Sequence, residues 1–328
     1  MEQTNVTALY EYLDESAKVL EHVLDVTYLD ALAEAGDNLF EQAIIQDLAS
    51  ERKEQLLPLM ERVSSMTFTK EDVRKAFQLA VMKGMKGVVQ PNHSMTPDAV
   101  SLFMSYLVNK LQKTDSKGDV LDLAVGSGNL LFSICNHAEG RIDKAYGFEV
   151  DETLLKNAFA SANLQKHEIQ LFHQDSLLVN MPDVHLVVAD LPVGYYPKDD
   201  IARTYDLKAE SGHSYIHHLM IEQGIRALQP GGFGLLLVPN FIFESDQADK
   251  LHAYLKEHAV VLGLLQLPAS MFSNKQQQKS ILMIQKKAEK MKKPQQALLA
   301  ELPSFSNVTA MQEMMSSINK WFKEQLGR

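Results

Sequence analysis

Cysteine is almost absent from this chain. Cys135 is the single thiol in 328 residues. One thiol cannot form an internal disulfide or a cysteine-based zinc site, so both are excluded. Long apolar runs are missing too, and nothing approaches the ~20 residues of a membrane span. The opening stretch MEQTNVTALYEYLDES is acidic and lacks the basic-then-apolar pattern of a secretory leader. These absences lead to the expectation of a cytoplasmic protein with no membrane association. Positive charge is scarce at the start: residues 1–62 hold 14 acids against 4 bases, while the rest is balanced at 28 of each. That segment is poorly suited to tracking a phosphate backbone, which requires clustered cations. The one basic stretch, KQQQKSILMIQKKAEKMKKP (275–294), reads as a solvated strand end and linker.

What is present is patterned. With 45% hydrophobic and 23% charged residues, the composition is that of a globular chain. Residues 4–62 read as helices: Leu9, Leu13, Leu20, Val23 and Leu24 fall near helical spacing. Thr4 is a candidate cap for the first helix and Asp25 or Thr27 for the second. Gly36 and Pro58 obscure the second and third. FTKEDVRKAFQLAVMKG adds a helix capped by Thr69 and stopped at Gly84. A Gly/Pro/Asn/Ser loop over 82–97 then separates a helical N-terminal domain (1–90) from a second domain (91–328). In TPDAVSLFMSYLVNKL, Thr96 is expected to cap a helix with Pro97 at its first position.

From residue 119 onward strands alternate with helices, which implies right-handed crossovers and a mostly parallel sheet. One helix, SYIHHLMIEQGIRALQPGG, is expected to close at Pro-Gly-Gly. VVLGLLQLP and KSILMIQKK have no helix between them and should form a hairpin. The fold class is therefore α/β: a doubly wound, mostly parallel, seven-stranded Rossmann-like sheet with one antiparallel strand, preceded by the helical domain.

The chemistry-bearing residues cluster at strand ends. VLDLAVGSGNLL places Gly126 and Gly128 in the first strand-to-helix turn, where glycine permits positive φ and close ligand approach. The dinucleotide fingerprint requires a third glycine where Leu131 stands, and no Gly-Lys-Ser/Thr is present, so pyrophosphate and P-loop readings are rejected. Asp122 in the strand end suits a cationic ligand. Glu149, ending the second strand in YGFEVD, sits where a carboxylate accepts ribose hydroxyls. Asp175 ends the third strand and Asp190 the fourth. Four successive strands thus deliver an acid to the ligand-binding edge. A ligand with a cationic centre, an ammonium, a ribose diol and an adenine amine is S-adenosylmethionine.

On these motifs the stretch 119–288 resembles the class I S-adenosylmethionine-dependent methyltransferases. SMTPDAV resembles the motif that precedes the sheet in N6-adenine DNA methyltransferases, as in the modification subunits of type I restriction systems. The resemblance covers roughly residues 90–288, and 1–90 in helical character only. It implies cofactor contacts at Thr96, Asp122, Ala124, Gly126, Gly128, Asn129, Glu149, Val150, Asp175, Ser176 and Asp190. It also places ADLPVGYYP at the family's Asp/Asn-Pro-Pro-Tyr/Phe. There a side-chain oxygen and a backbone carbonyl accept the two hydrogens of a target nitrogen. Asp190 and Pro192 keep the pattern. Leu191 replaces one proline but still offers a carbonyl, and Val193 replaces the stacking ring, leaving Tyr195 or Tyr196 to substitute. The resulting expectation is N-methylation, with adenine N6 in nucleic acid, DNA first, as the leading substrate and a separate partner supplying sequence recognition. Methylation of a protein amide or small molecule, or a cofactor-binding protein without catalysis, remain open. His213 and His217 stand at i, i+4 without a third ligand, so no metal centre is expected.

Overall fold

The computed structural model describes residues 4–86, 95–112, 117–138 and 140–328. The boundary expected at 90/91 lies outside the described residues. The chain divides into two compact units. The first comprises Met1–Ser101, Val125–His137 and Tyr146–His173; the second Leu102–Ala124, Ala138–Ala145 and Gln174–Arg328.

Four helices open the chain: α1 (Asn5–Leu24), α2 (Tyr28–Glu41), α3 (Ser50–Ser64) and α4 (Lys70–Met85). Thr4 and Thr27 cap the first two through their hydroxyls, and Thr69 forms a reciprocal capping box with Asp72. Asp25 instead ends α1 in the left-handed region, at φ 53°. Gly84 does not stop α4. It lies one residue inside the helix, where a side chain would strike Tyr28 and Leu29. Leu9, Leu13 and Leu20 are buried among Leu32, Phe77 and Ala160 of α7 (Glu152–Leu164), so the first unit's helical core incorporates a later helix.

The sheet contains β1 (Gly118–Asp122), β2 (Ile142–Glu149), β3 (Ile169–His173), β4 (Val184–Asp190), β5 (Leu228–Pro239), β6 (Ala259–Gln266), β7 (Lys279–Lys286) and β8 (Leu298–Glu301). Before them comes α5 (Asp98–Leu111); between them run α6 (Asn129–His137), α7, α8 (Asp199–Ala202), α9 (Ile216–Ala227) and α10 (Ala248–His258); α11 (Val308–Trp321) follows β8. The strand order is β3-β2-β1-β4-β5-β7-β6-β8. It reverses direction at β1/β4, so right-handed crossovers send helices to opposite faces. β7 is antiparallel to β5 and β6, as the hairpin predicts. The fold class stands, but among the described residues the sheet has eight strands rather than seven. The short β8 pairs parallel with β6 and has too little apolar periodicity to be read as a strand.

Two further expectations change. α5 begins at Asp98, and the Pro97 carbonyl accepts from Val100 and Ser101, so Pro97 rather than Thr96 flanks the helix. Pro230-Gly231-Gly232 lies within β5: α9 has already ended at Ala227, and the β4–β5 register jumps between Val184↔Leu228 and Leu186↔Phe233. A bulge absorbs the breaker residues there.

Candidate functional site

In the first unit the glycine turn is built on Glu149. This buried carboxylate accepts from the Gly126 amide at 2.8 Å and from the Val150 and Asp151 amides at 2.9 Å each. Three of its roughly four acceptor positions are thus occupied, leaving capacity for about one further donor. Val125 N–H donates to the Phe148 carbonyl, tying the turn to the end of β2. Gly126 has φ +55°, and a Cβ there would meet nothing within 4 Å among the described residues. Gly128 has φ +89°, and any side chain would displace Phe132.

Asn129, the first residue of α6, is held by a residue the sequence reading missed. Its amide nitrogen donates to the Thr96 carbonyl at 2.8 Å, and its oxygen accepts from Arg74 Nη1 at 2.7 Å. Arg74 is 1% exposed. It also forms a fork onto Glu71 and reaches Asp98 at 2.6 Å. Burial lowers the stability of its charge, but these two carboxylates outweigh burial and raise its pKa. The signal was available: Arg74 shares the apolar stripe of Phe77 and Val81, where an unpaired cation would be prohibitive.

In the second unit, Asp122 and Asp190 end the adjacent parallel strands β1 and β4. Asp122 is buried and accepts from the Ala124 amide at 3.0 Å. Asp175 accepts from the Leu177 amide, from the Tyr196 hydroxyl at 2.7 Å and from Lys198 at 3.1 Å. The carbonyl of the buried Ser176 accepts from Gln223 at 2.7 Å. Tyr196 is 2% exposed; burial and Asp175 raise its phenol pKa. Tyr196 is therefore a brace beneath the loop, not a stacking platform. Tyr195 differs: it is 59% exposed and stacks on Tyr215, with ring centroids 4.9 Å apart and an interplanar angle of 14°.

Asp190 and Leu191 converge on one nitrogen. Lys279 Nζ donates to Asp190 Oδ1 in a close ion pair and to the Leu191 carbonyl at 3.2 Å. Lys279 opens β7 opposite Pro239, so the antiparallel strand delivers the cation to this corner. Sequence reading assigned Lys279 to a solvated stretch and missed the pairing. Beyond it, the Gly194 carbonyl and the Tyr196 amide pair with the segment 214–216, pinning the loop.

His217 and His218 start α9 fully buried, and none of their ring nitrogens has a hydrogen-bond partner among the described residues. Burial holds His217 down to about 3, helped by the neighbouring His218 and Lys279 charges, and His218 down to about 4. His213 precedes the helix and pairs with Asp199 at 3.0 Å, so it is not brought to His217. Among the described residues no group of three or more His, Cys, Asp or Glu is placed to hold a metal ion. None of their helices is long and apolar enough to cross a membrane.

A reversed-order α/β sheet with a glycine turn after β1, acids ending β1, β2 and β4, and Asp175 two residues beyond β3 defines the class of S-adenosylmethionine-dependent methyltransferases. Comparison with known proteins narrows this. The chain belongs to the N-6 DNA Methylase family, whose model matches residues 92–323, and residues 7–85 match the YtxK N-terminal helical domain. It is 46% identical over 328 residues to the uncharacterized protein YtxK of Bacillus subtilis strain 168, covering 99% of this chain and all of that one. A crystal structure from Listeria monocytogenes, assigned to the class I S-adenosylmethionine-dependent methyltransferases, superposes with a TM-score of 0.90. That pair shares 36% identity over 97% of this chain and 99% of the other. The methyltransferase subunit of a type I restriction-modification system from Streptococcus thermophilus matches with a TM-score of 0.68 at 14% identity, over 97% and 74% of the two chains. At that identity the likeness shows the fold alone.

Proposed function

We propose that the protein is an S-adenosylmethionine-dependent N-methyltransferase whose acceptor is adenine N6 in nucleic acid, DNA first. One observation carries the amine-directed part of this reading: the Asp190 carboxylate and the Leu191 carbonyl are aimed at a single nitrogen. An exocyclic amine presents two hydrogens and a poorly available lone pair. Two acceptors that hold both hydrogens orient that lone pair and offset the positive charge that develops on nitrogen.

The residues present fit the cofactor. Gly126 opens toward space free of described residues, Glu149 keeps acceptor capacity, and the Asp122 and Asp175 carboxylates suit cationic and amino groups. From the family pattern, the contacts proposed for it are Thr96, Asp122, Ala124, Gly126, Gly128, Asn129, Glu149, Val150, Asp175, Ser176 and Asp190. When bound, the cofactor supplies an electrophilic methyl on a sulfonium. Pro192 stiffens the backbone after the Leu191 carbonyl, and the exposed Tyr195 ring offers the stacking surface that Val193 lacks. The N-terminal segment is acidic, so sequence recognition on DNA falls to a separate partner. The cytoplasm is the compartment assigned, and the division at residue 90 into a helical and a methyltransferase domain is retained as part of the reading.

A second reading, a cofactor-binding protein without catalysis, is favoured by the Lys279 ammonium filling the acceptor pair. The two are separated by calorimetric titration with S-adenosylmethionine and by tritiated methyl transfer into DNA and RNA. Binding with transfer abolished in Asp190→Ala supports the enzyme. Binding without transfer to any acceptor supports the second reading, and absence of cofactor binding overturns both.

A further inference from the structure

The ammonium of Lys279 stands where the first reading requires a substrate amine. It donates to the same two acceptors, Asp190 Oδ1 and the Leu191 carbonyl. Both side chains are largely buried, with Lys279 17% and Asp190 13% exposed. A neutral amine can take these two oxygens only by evicting the cation, and an evicted, half-desolvated ammonium that finds no anion is costly. An acceptor molecule that brings its own anion removes that cost, because the ammonium moves from the carboxylate to the incoming charge.

We propose that Lys279 determines acceptor specificity at this corner: it is an internal occupant of the amine subsite, displaced by an amine carried on the same molecule as a phosphate. The proposal rests on the amine-methyltransferase reading and sharpens it, since it selects nucleotides over free nucleosides and over neutral amides.

Adenosine and adenosine monophosphate serve as probes, titrated calorimetrically into protein saturated with S-adenosylhomocysteine so that the cofactor site is filled. The unaltered protein should bind the monophosphate about tenfold more tightly than adenosine, a difference equivalent to one charge-assisted hydrogen bond. Lys279→Met should bind adenosine about tenfold more tightly than the unaltered protein and lose the preference for phosphate. Lys279→Arg, which keeps the cation, should retain the preference; its melting temperature and that of Lys279→Met identify loss of fold. Equal adenosine affinity in the unaltered and Met proteins, or no binding of either probe to both, overturns the proposal and leaves Lys279 a structural ion pair. Failure of the unaltered protein to bind S-adenosylhomocysteine overturns the underlying reading itself.

Discussion

Two adjacent tyrosines illustrate how much a single position decides. Tyr196 is turned inward onto Asp175, whereas Tyr195 lies flat on Tyr215 at the surface. Their substitutions should separate cleanly. Tyr196→Phe removes a buried hydrogen bond to a carboxylate and should cost about 1–3 kcal/mol of stability, read by urea unfolding. Tyr195→Ala should cost only about 1 kcal/mol of stability, the worth of its stacking on Tyr215, and weaken binding of a single-stranded oligonucleotide by about 1–3 kcal/mol, the worth of one stacked base. The sequence could not tell the two apart, because an isolated bridge between Tyr195 and Tyr215 sets the direction of each ring. Lys279 was illegible for the same kind of reason. Its partner Asp190 lies 89 residues earlier, and the registers of β4 against β5 and of β5 against β7 join them.

At the scale of elements, local signals were legible and non-local ones were not. The threonine caps of α1, α2 and α4, the strand-terminal acids and the β6–β7 hairpin follow from spacing alone. β8 escaped notice, since four residues carry no resolvable period. Gly84 and Pro230-Gly231-Gly232 were misread because glycine marks a close packing contact or a bulge as readily as a stop. The most consequential non-local link is Arg74, through which α4 holds Glu71, Asp98 and Asn129. Arg74→Met leaves these groups without their cation and should destabilise the protein by about 3–5 kcal/mol. It should also weaken cofactor binding, because Asn129 then loses the anchor that orients it toward Thr96. A calorimetric titration run well below the melting temperature distinguishes that effect from unfolding, and unchanged affinity would show that Arg74 serves stability alone.

For the whole molecule, acid should be more damaging than the net charge of −10 suggests. Burial holds His167 and His218 down to about 4 and His217 to about 3, against 6.5 when free. Between pH 6.5 and about 4 the unfolded chain therefore binds more protons at these sites than the folded one. Stability is then fully present above that window and is lost as pH falls through it, by up to about 1.4 kcal/mol per pH unit for each histidine. Asp37 acts in the opposite sense: burial, with Glu34 and Glu41 nearby, raises it to about 6, so the folded state gains a proton there. Glu222, also raised by burial, joins Asp37, and the three histidines outweigh these two carboxyls. The melting temperature should fall steadily from pH 7 to pH 4.5, and His217→Phe should make that decline shallower.

The short strand β8 has a consequence of another kind. It lies at one margin of the sheet and covers Gly263–Gln266 of β6, an apolar strand whose open side would otherwise template a further chain. The opposite margin is β3, with five residues. Both margins are therefore too brief for robust strand addition. A sheet finished in this way offers little free backbone at either margin, which disfavours edge-to-edge pairing between copies.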